Sequence, residues 1–110
     1  MEIDVKTLEK GIVVSVKGRM DAVSSPDFEK QLKELIETGV ICFVIDLNDL
    51  EYISSAGLRS ILTSAKKLKG KEGRLILAGL KDVVKEVFEI SGFSAIIPIY
   101  DSAESALDQC

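Results

Sequence analysis

The chain has 110 residues, 46% of them hydrophobic and 29% charged, which is the size of one domain and too apolar for a disordered segment. Fourteen Lys and Arg against 18 Asp and Glu leave a net charge of −4, so nothing draws the chain generically to nucleic acid or anionic lipid. It contains no histidine, which excludes a Ser-His or Cys-His nucleophile pair and any imidazole metal ligand.

Residues Met1-Glu2-Ile3-Asp4 carry no basic stretch leading into an apolar run. The longest wholly apolar run, Val40 to Ile45, is too short to cross a bilayer, so a cytoplasmic protein without a membrane segment is expected. Ile3, Val5 and Thr7 alternate with charged residues and predict a half-buried strand; Gly11 then leads into a second strand, Ile12 to Val16, completing a hairpin. Ser24-Ser25-Pro26-Asp27 reads as a helix start with Ser24 as cap and proline in the first turn. Phe28, Leu32, Leu35 and Ile36 recur on one face of that helix until Gly39.

Val40 to Ile45 is apolar at every position, as in a central strand covered on both faces. Asp46 begins an acidic loop reaching Ser55, after which Leu58, Ile61, Leu62, Ala65 and Leu68 form a helical stripe ending at Gly70. Leu75 to Ala78 is a further buried strand, and Leu80, Val83, Val84, Val87 and Phe88 make a third helix that stops before Gly92. A strand is expected over Ala95 to Tyr100, pushed to a sheet edge by Pro98, and Asp101-Ser102 caps a short last helix. Residues 1–110 thus predict a single α/β domain: a mixed five-stranded sheet, mostly parallel after the hairpin, with about four helices.

Cys42 lies inside the apolar strand and Cys110 is the last residue; both are expected to be free thiols, and they are too far apart in sequence for a zinc motif. Asp46, Asp49 and Glu51 lack the supporting ligands of a magnesium site and read as a solvated acidic loop. Neither G-x-G-x-x-G nor P-loop spacing occurs, and Gly70-Lys71-Glu72-Gly73 reads as a turn. The distinctive stretch is Asp46-Leu47 through Tyr52-Ile53-Ser54-Ser55-Ala56-Gly57-Leu58, where two serines open a helix whose unpaired N–H groups and partial positive charge suit a hydroxyl cap or an added phosphate. Gly57 costs the first turn about 1 kcal/mol relative to alanine, which points either to close approach by another chain or ligand or to simple tolerance. Asp21, in Gly18-Arg19-Met20-Asp21, follows the second strand toward the same end of the sheet, with an ordinary turn or cap as its other reading.

These residues resemble the signature of STAS domains, particularly the small bacterial anti-sigma factor antagonists. The resemblance spans the chain and includes Gly18-Arg19-Met20-Asp21 and the later Phe88-Glu89-Ile90-Ser91-Gly92-Phe93. It implies a protein that is not an enzyme and has no cofactor of its own. Such a protein binds an anti-sigma factor with serine kinase activity, so releasing a sigma factor, and is inactivated when that kinase phosphorylates it. The acceptor the resemblance implies is Ser55, two positions before the motif glycine, with Ser54 as the alternative, and a phosphatase would reverse the modification. The implied partner surface is Asp21, Ser54, Ser55, Ala56, Gly57, Leu58 and Arg59. Two positions depart from the family: Ser54 stands where an acid often precedes the acceptor, and Arg59 where a small residue is common. The alternative within the same fold is a scaffold or nucleotide-sensing module that binds a sensor or transporter partner without a phosphorylation switch.

Overall fold

Alternation in the first segment and the largely apolar start of the second produce an antiparallel pair, β1 (Glu2–Thr7) and β2 (Ile12–Met20), in register from Glu2 opposite Lys17 to Thr7 opposite Ile12. The computed structural model describes residues 1–110. After α1 (Ser25–Ile36) come β3 (Cys42–Asp46), β4 (Leu50–Ile53), α2 (Ser55–Gly70), β5 (Arg74–Ala78), α3 (Asp82–Ser91), a 3₁₀ turn (Phe93–Ala95), β6 (Ile99–Tyr100) and α4 (Ala103–Leu107). The main sheet runs β1-β2-β3-β5-β6, with every pair after the hairpin parallel.

The sheet has six strands where five were expected. The extra one, β4, lies inside the segment read as an acidic loop and pairs in parallel with the far end of β2, Arg19 opposite Tyr52 and Met20 opposite Ile53. Four residues preceded by Asp49 and interrupted by Glu51 carry too little periodicity to be seen locally; β2 supplies the partner because it runs past β3 for several residues. The last strand is also shorter than expected: residues 93–95 form a 3₁₀ turn and only Ile99 and Tyr100 pair, at the sheet edge that Pro98 predicts. The third strand begins at Cys42 rather than Val40, leaving Ile41 exposed.

Successive residues of β3 point to opposite faces, as the strand repeat requires. Phe43 and Ile45 join the larger core with Phe28, Leu32, Ile61, Leu68 and Phe88 beneath α1, α2 and α3. Cys42 and Val44 join the smaller one, with Val13, Ile76, Ala78 and Ala106, covered by α4. Gly92 ends α3 in the left-handed conformation, φ +79°, which a residue without a Cβ adopts without strain. No helix is long and apolar enough to cross a membrane.

The expectation of two free thiols is overturned: Cys42 and Cys110 form a disulfide across 68 positions, with Cα atoms 5.7 Å apart. Sequence distance hid this pairing, and α4 creates it. Its buried Ala106 packs on the smaller core, and the Arg74 guanidinium donates to the Gln109 carbonyl at 2.6 Å, which brings the next residue back over the start of β3 beside the Arg74 strand. In the chain-entropy account a closed loop of this size adds about 4 kcal/mol, and disulfides typically deliver about 2–4. Cys110→Ser should therefore lower the unfolding free energy by ~2–4 kcal/mol in non-reducing buffer. Denaturant titration checks this, and reductant should bring the parent chain to the variant's midpoint.

Candidate functional site

β2 and β4 end side by side, so Asp21 and Ser54, which follow Met20 and Ile53, emerge together at one end of the sheet. The Ser54 N–H donates to the Met20 carbonyl at 2.9 Å, extending the pairing by one residue before α2 begins. Ser54 is the N-cap: its backbone is extended (φ −92°, ψ 175°) and its hydroxyl accepts the Gly57 N–H at 3.2 Å. Ser55 follows as the first helical residue, with its side chain exposed. The N–H groups of Ser55 and Ala56 head the helix and have no carbonyl four residues back to accept them within it.

The two serines are thus distinguished by geometry, one bound into the cap and the other turned to solvent. Ala56 is half-buried and Arg59 exposed, one helical turn on from Ser55. Gly57 and Leu58 are buried. A Cβ on Gly57 would lie 2.8 Å from the Met20 carbonyl oxygen and 2.7 Å from Ile53 Cγ1, so the glycine lets α2 sit directly on the ends of β2 and β4. Neither outside approach nor tolerance is needed to account for it. Leu58 packs into the larger core from the same turn.

Asp21 serves as the anchor of the neighbouring loop. Its carboxylate accepts the N–H groups of Val23 and Ser24, each at 3.0 Å, and its own N–H donates to the Ser24 hydroxyl at 2.9 Å. The Ser25 hydroxyl donates to the Asp21 carbonyl. Ser24 therefore does not cap α1 through its side chain, as expected from the sequence, because its hydroxyl is held by Asp21 and the carbonyl of Arg19. The Ser24 N–H on the Asp21 carboxylate is the largest of the influences that hold this acid below its ordinary value of 3.8, and the Arg19 cation adds a smaller share against some desolvation. Arg19 itself lies over the Tyr52 ring, 4.2 Å from its centroid, tying the two strand ends together on the outside.

Beside Ser55 an open groove of about 280 Å³ runs between the starts of α1 and α2, lined by Ala22, Pro26, Glu29, Ala56, Arg59 and Thr63 among others. Val23, at the tip of the Asp21 loop, is 90% exposed. Of this loop the sequence signals Asp21 and the helix start at Ser24 but not Val23, which is readable as an exposed valine only once the turn is placed. Asp46 does not line the groove; its carboxylate accepts the Asn48 N–H at 3.0 Å, and no group of three or more acidic or cysteine side chains is arranged to hold a metal ion.

A mixed sheet with three helices on one face and one on the other, presenting a capped helix start and an exposed serine at its end, is the framework of a small α/β binding module. The family model described as STAS domain matches residues 2–106, and the chain belongs to that family, among its anti-sigma factor antagonists. BtrV of Bordetella bronchiseptica, whose name marks it as a candidate anti-sigma factor antagonist, is 38% identical over 96% of this chain and 91% of its own. The anti-sigma-B factor antagonist of Bacillus subtilis is 32% identical over 97% of each. The Bacillus protein SpoIIAA, an anti-sigma factor antagonist solved both unphosphorylated and phosphorylated, shares the fold at TM-scores of 0.76 and 0.77, 20% identity, 98% of this chain and 96% and 98% of that one.

Two outcomes follow from the geometry. Gly57→Ala improves helix propensity by ~1 kcal/mol yet should destabilise the protein by about 1–3 kcal/mol net, since a backbone oxygen cannot give way as a side chain can; chemical denaturation reads the sign. Because the folded Asp21 carboxyl is held below 3.8, it contributes stability above that pH which is lost as pH falls through its folded value. Asp21→Asn should thus be less stable than the parent at neutral pH and show a flatter acid limb, measured by denaturant midpoints across the acid range.

Proposed function

We propose that the unmodified chain is a cytoplasmic regulatory binding protein that engages an anti-sigma factor with serine kinase activity and thereby releases a sigma factor. Phosphorylation of Ser55 ends that engagement and a phosphatase restores it. The observation that carries the reading is the division of labour at the head of α2: the Ser54 hydroxyl is occupied by the Gly57 N–H, whereas that of Ser55 is exposed beside an open groove.

Transfer needs nothing from this chain beyond an accessible oxygen. Ser55 Oγ attacks the terminal phosphorus of ATP held with magnesium by the kinase, the bond to the departing ADP breaks, and the hydroxyl proton passes to a base on the kinase. Ser55 then carries about −1.5 to −2 charges. At the first position of α2 those charges meet the N–H groups of the opening turn and the positive end of the helix, with Arg59 one turn on. The fold therefore has reason to survive, and the likeness of this chain to SpoIIAA in both of its forms supports that. A partner that had placed carboxylate or apolar groups against the neutral surface loses several kcal/mol on meeting the new charge.

Asp21, Ser54, Ala56 and Arg59 belong to the docking surface in this reading, with Val23 and the groove between α1 and α2 as its continuation. Gly57 and Leu58 act from beneath, by seating the helix.

With the cognate kinase and magnesium ATP, intact mass should rise by one phosphoryl group in the parent chain and in Ser54→Ala but not in Ser55→Ala. Equal modification of the parent and Ser55→Ala overturns the assignment. Ser55→Asp should unfold within about 0.5 kcal/mol of the parent and bind the kinase ~10-fold or more weakly by titration calorimetry.

A further inference from the structure

The C-terminal half of α2 borders a second, half-open groove of about 440 Å³. Leu62, Ala65 and Ile96 give it an apolar lining, while Lys66 and Lys69 stand beside it with no carboxylate among its lining residues; the Arg74 guanidinium is turned away to the Gln109 carbonyl. A cationic rim on a chain of net charge −4 marks a local reversal of sign. Ala65 keeps the groove open, since a larger side chain at this half-buried position would fill part of it.

Helix α3 carries the matching surface. Val83 and Ile90 are 53% and 86% exposed, and half-buried Val87 lies between them at positions i, i+4 and i+7, so the three form one stripe along the helix. Asp82, Glu86 and Glu89 are exposed beside this stripe, against one exposed cation on the same helix, Lys85. The helix is pinned to its own core by Val84 and Phe88, both buried. An apolar stripe with an acidic flank and an apolar groove with a basic rim are complementary in both respects.

We propose that the groove's occupant is α3 of a second copy of this chain. Stripe and groove are joined by the chain itself: α3 turns at Gly92 into the 3₁₀ segment, whose exit places Ile96, 65% exposed, on the groove wall. In the pairing proposed the two copies are related by a two-fold axis, each lending its stripe to the other's groove, so that the contact ends with the pair. The groove begins about 10 Å along α2 from Ser55, counted at the helical rise to Leu62, and its lysines lie about 16 Å away or more, so pairing leaves the serine open in both copies. Its failure would leave the phosphorylation reading standing.

Light scattering after gel filtration, repeated over a concentration series, tests the pairing on the full chain. The parent should move from the 12.0 kDa monomer to twice that mass as concentration rises. Ile90→Gln, at an exposed helical site where folding is spared, should raise the dissociation constant by about tenfold or more. Lys66→Glu with Lys69→Glu should give monomers, and so should Glu86→Lys with Glu89→Lys. An equimolar mixture of those two double variants should recover the dimer, since both contacts in the mixed pair again join acid to base. A parent that stays monomeric throughout, an Ile90→Gln protein that pairs as well as the parent, or a mixture that fails to recover the dimer overturns the proposal.

Discussion

The hydrogen bond from the Ser54 N–H to the Met20 carbonyl, together with the bare Cα of Gly57 lying against that same carbonyl, is the contact on which the rest of the molecule is arranged. It fixes where α2 starts relative to the ends of β2 and β4, and so decides that Ser54 turns inward to cap while Ser55 turns outward. Backbone atoms make this contact, and they cannot adjust as side chains do. Everything proposed for Ser55 depends on a helix N-terminus held in that place, because a charge added to a loosely seated helix would move the helix rather than alter the surface.

The sheet divides the molecule into unequal halves. Three helices cover one face, with large side chains such as Phe28 and Phe88 in one core with Phe43 of the sheet, whereas the other is closed by the single short α4 over Val44, Ile76 and Ala78. A helix of five residues has little stability of its own, and the capping box at Ser102 and Ser105, the Arg74 contact to Gln109 and the Cys42–Cys110 bond together hold it down. The helix starts that bear Ser55 and the Asp21 loop stand at the opposite, C-terminal end of the parallel strands, where crevices outside such sheets commonly bind.

Much of this was legible beforehand. The stripes of α1, α2 and α3, the fully apolar β3 and the edge position of β6 follow from periodicity and from Pro98, since each records a burial requirement that repeats along the chain. Asp21 and the two serines could be placed at one sheet end because they follow strands that had to be parallel. What escaped was β4, whose four residues pair only because β2 outruns β3, and the side-chain role of Ser24, which Asp21 takes over at short range.

By itself, then, the order of residues determined the layered α/β class, the existence and buried faces of the long helices and the junction where chemistry was to be sought, because these rest on local spacing, caps and breakers; the first helix stops at Ile36, short of Gly39, and the third starts at Asp82, beyond Leu80. Only the folded structure decided that Cys42 and Cys110 meet, that Gly57 answers to Met20 rather than to an outside partner, and that the stripe on α3 and the groove beside α2 oppose each other in charge. Each of those facts is a distance between residues far apart along the chain or a direction in which a side chain points. Such quantities exist only once the backbone has closed its loops and the core has fixed the elements against one another.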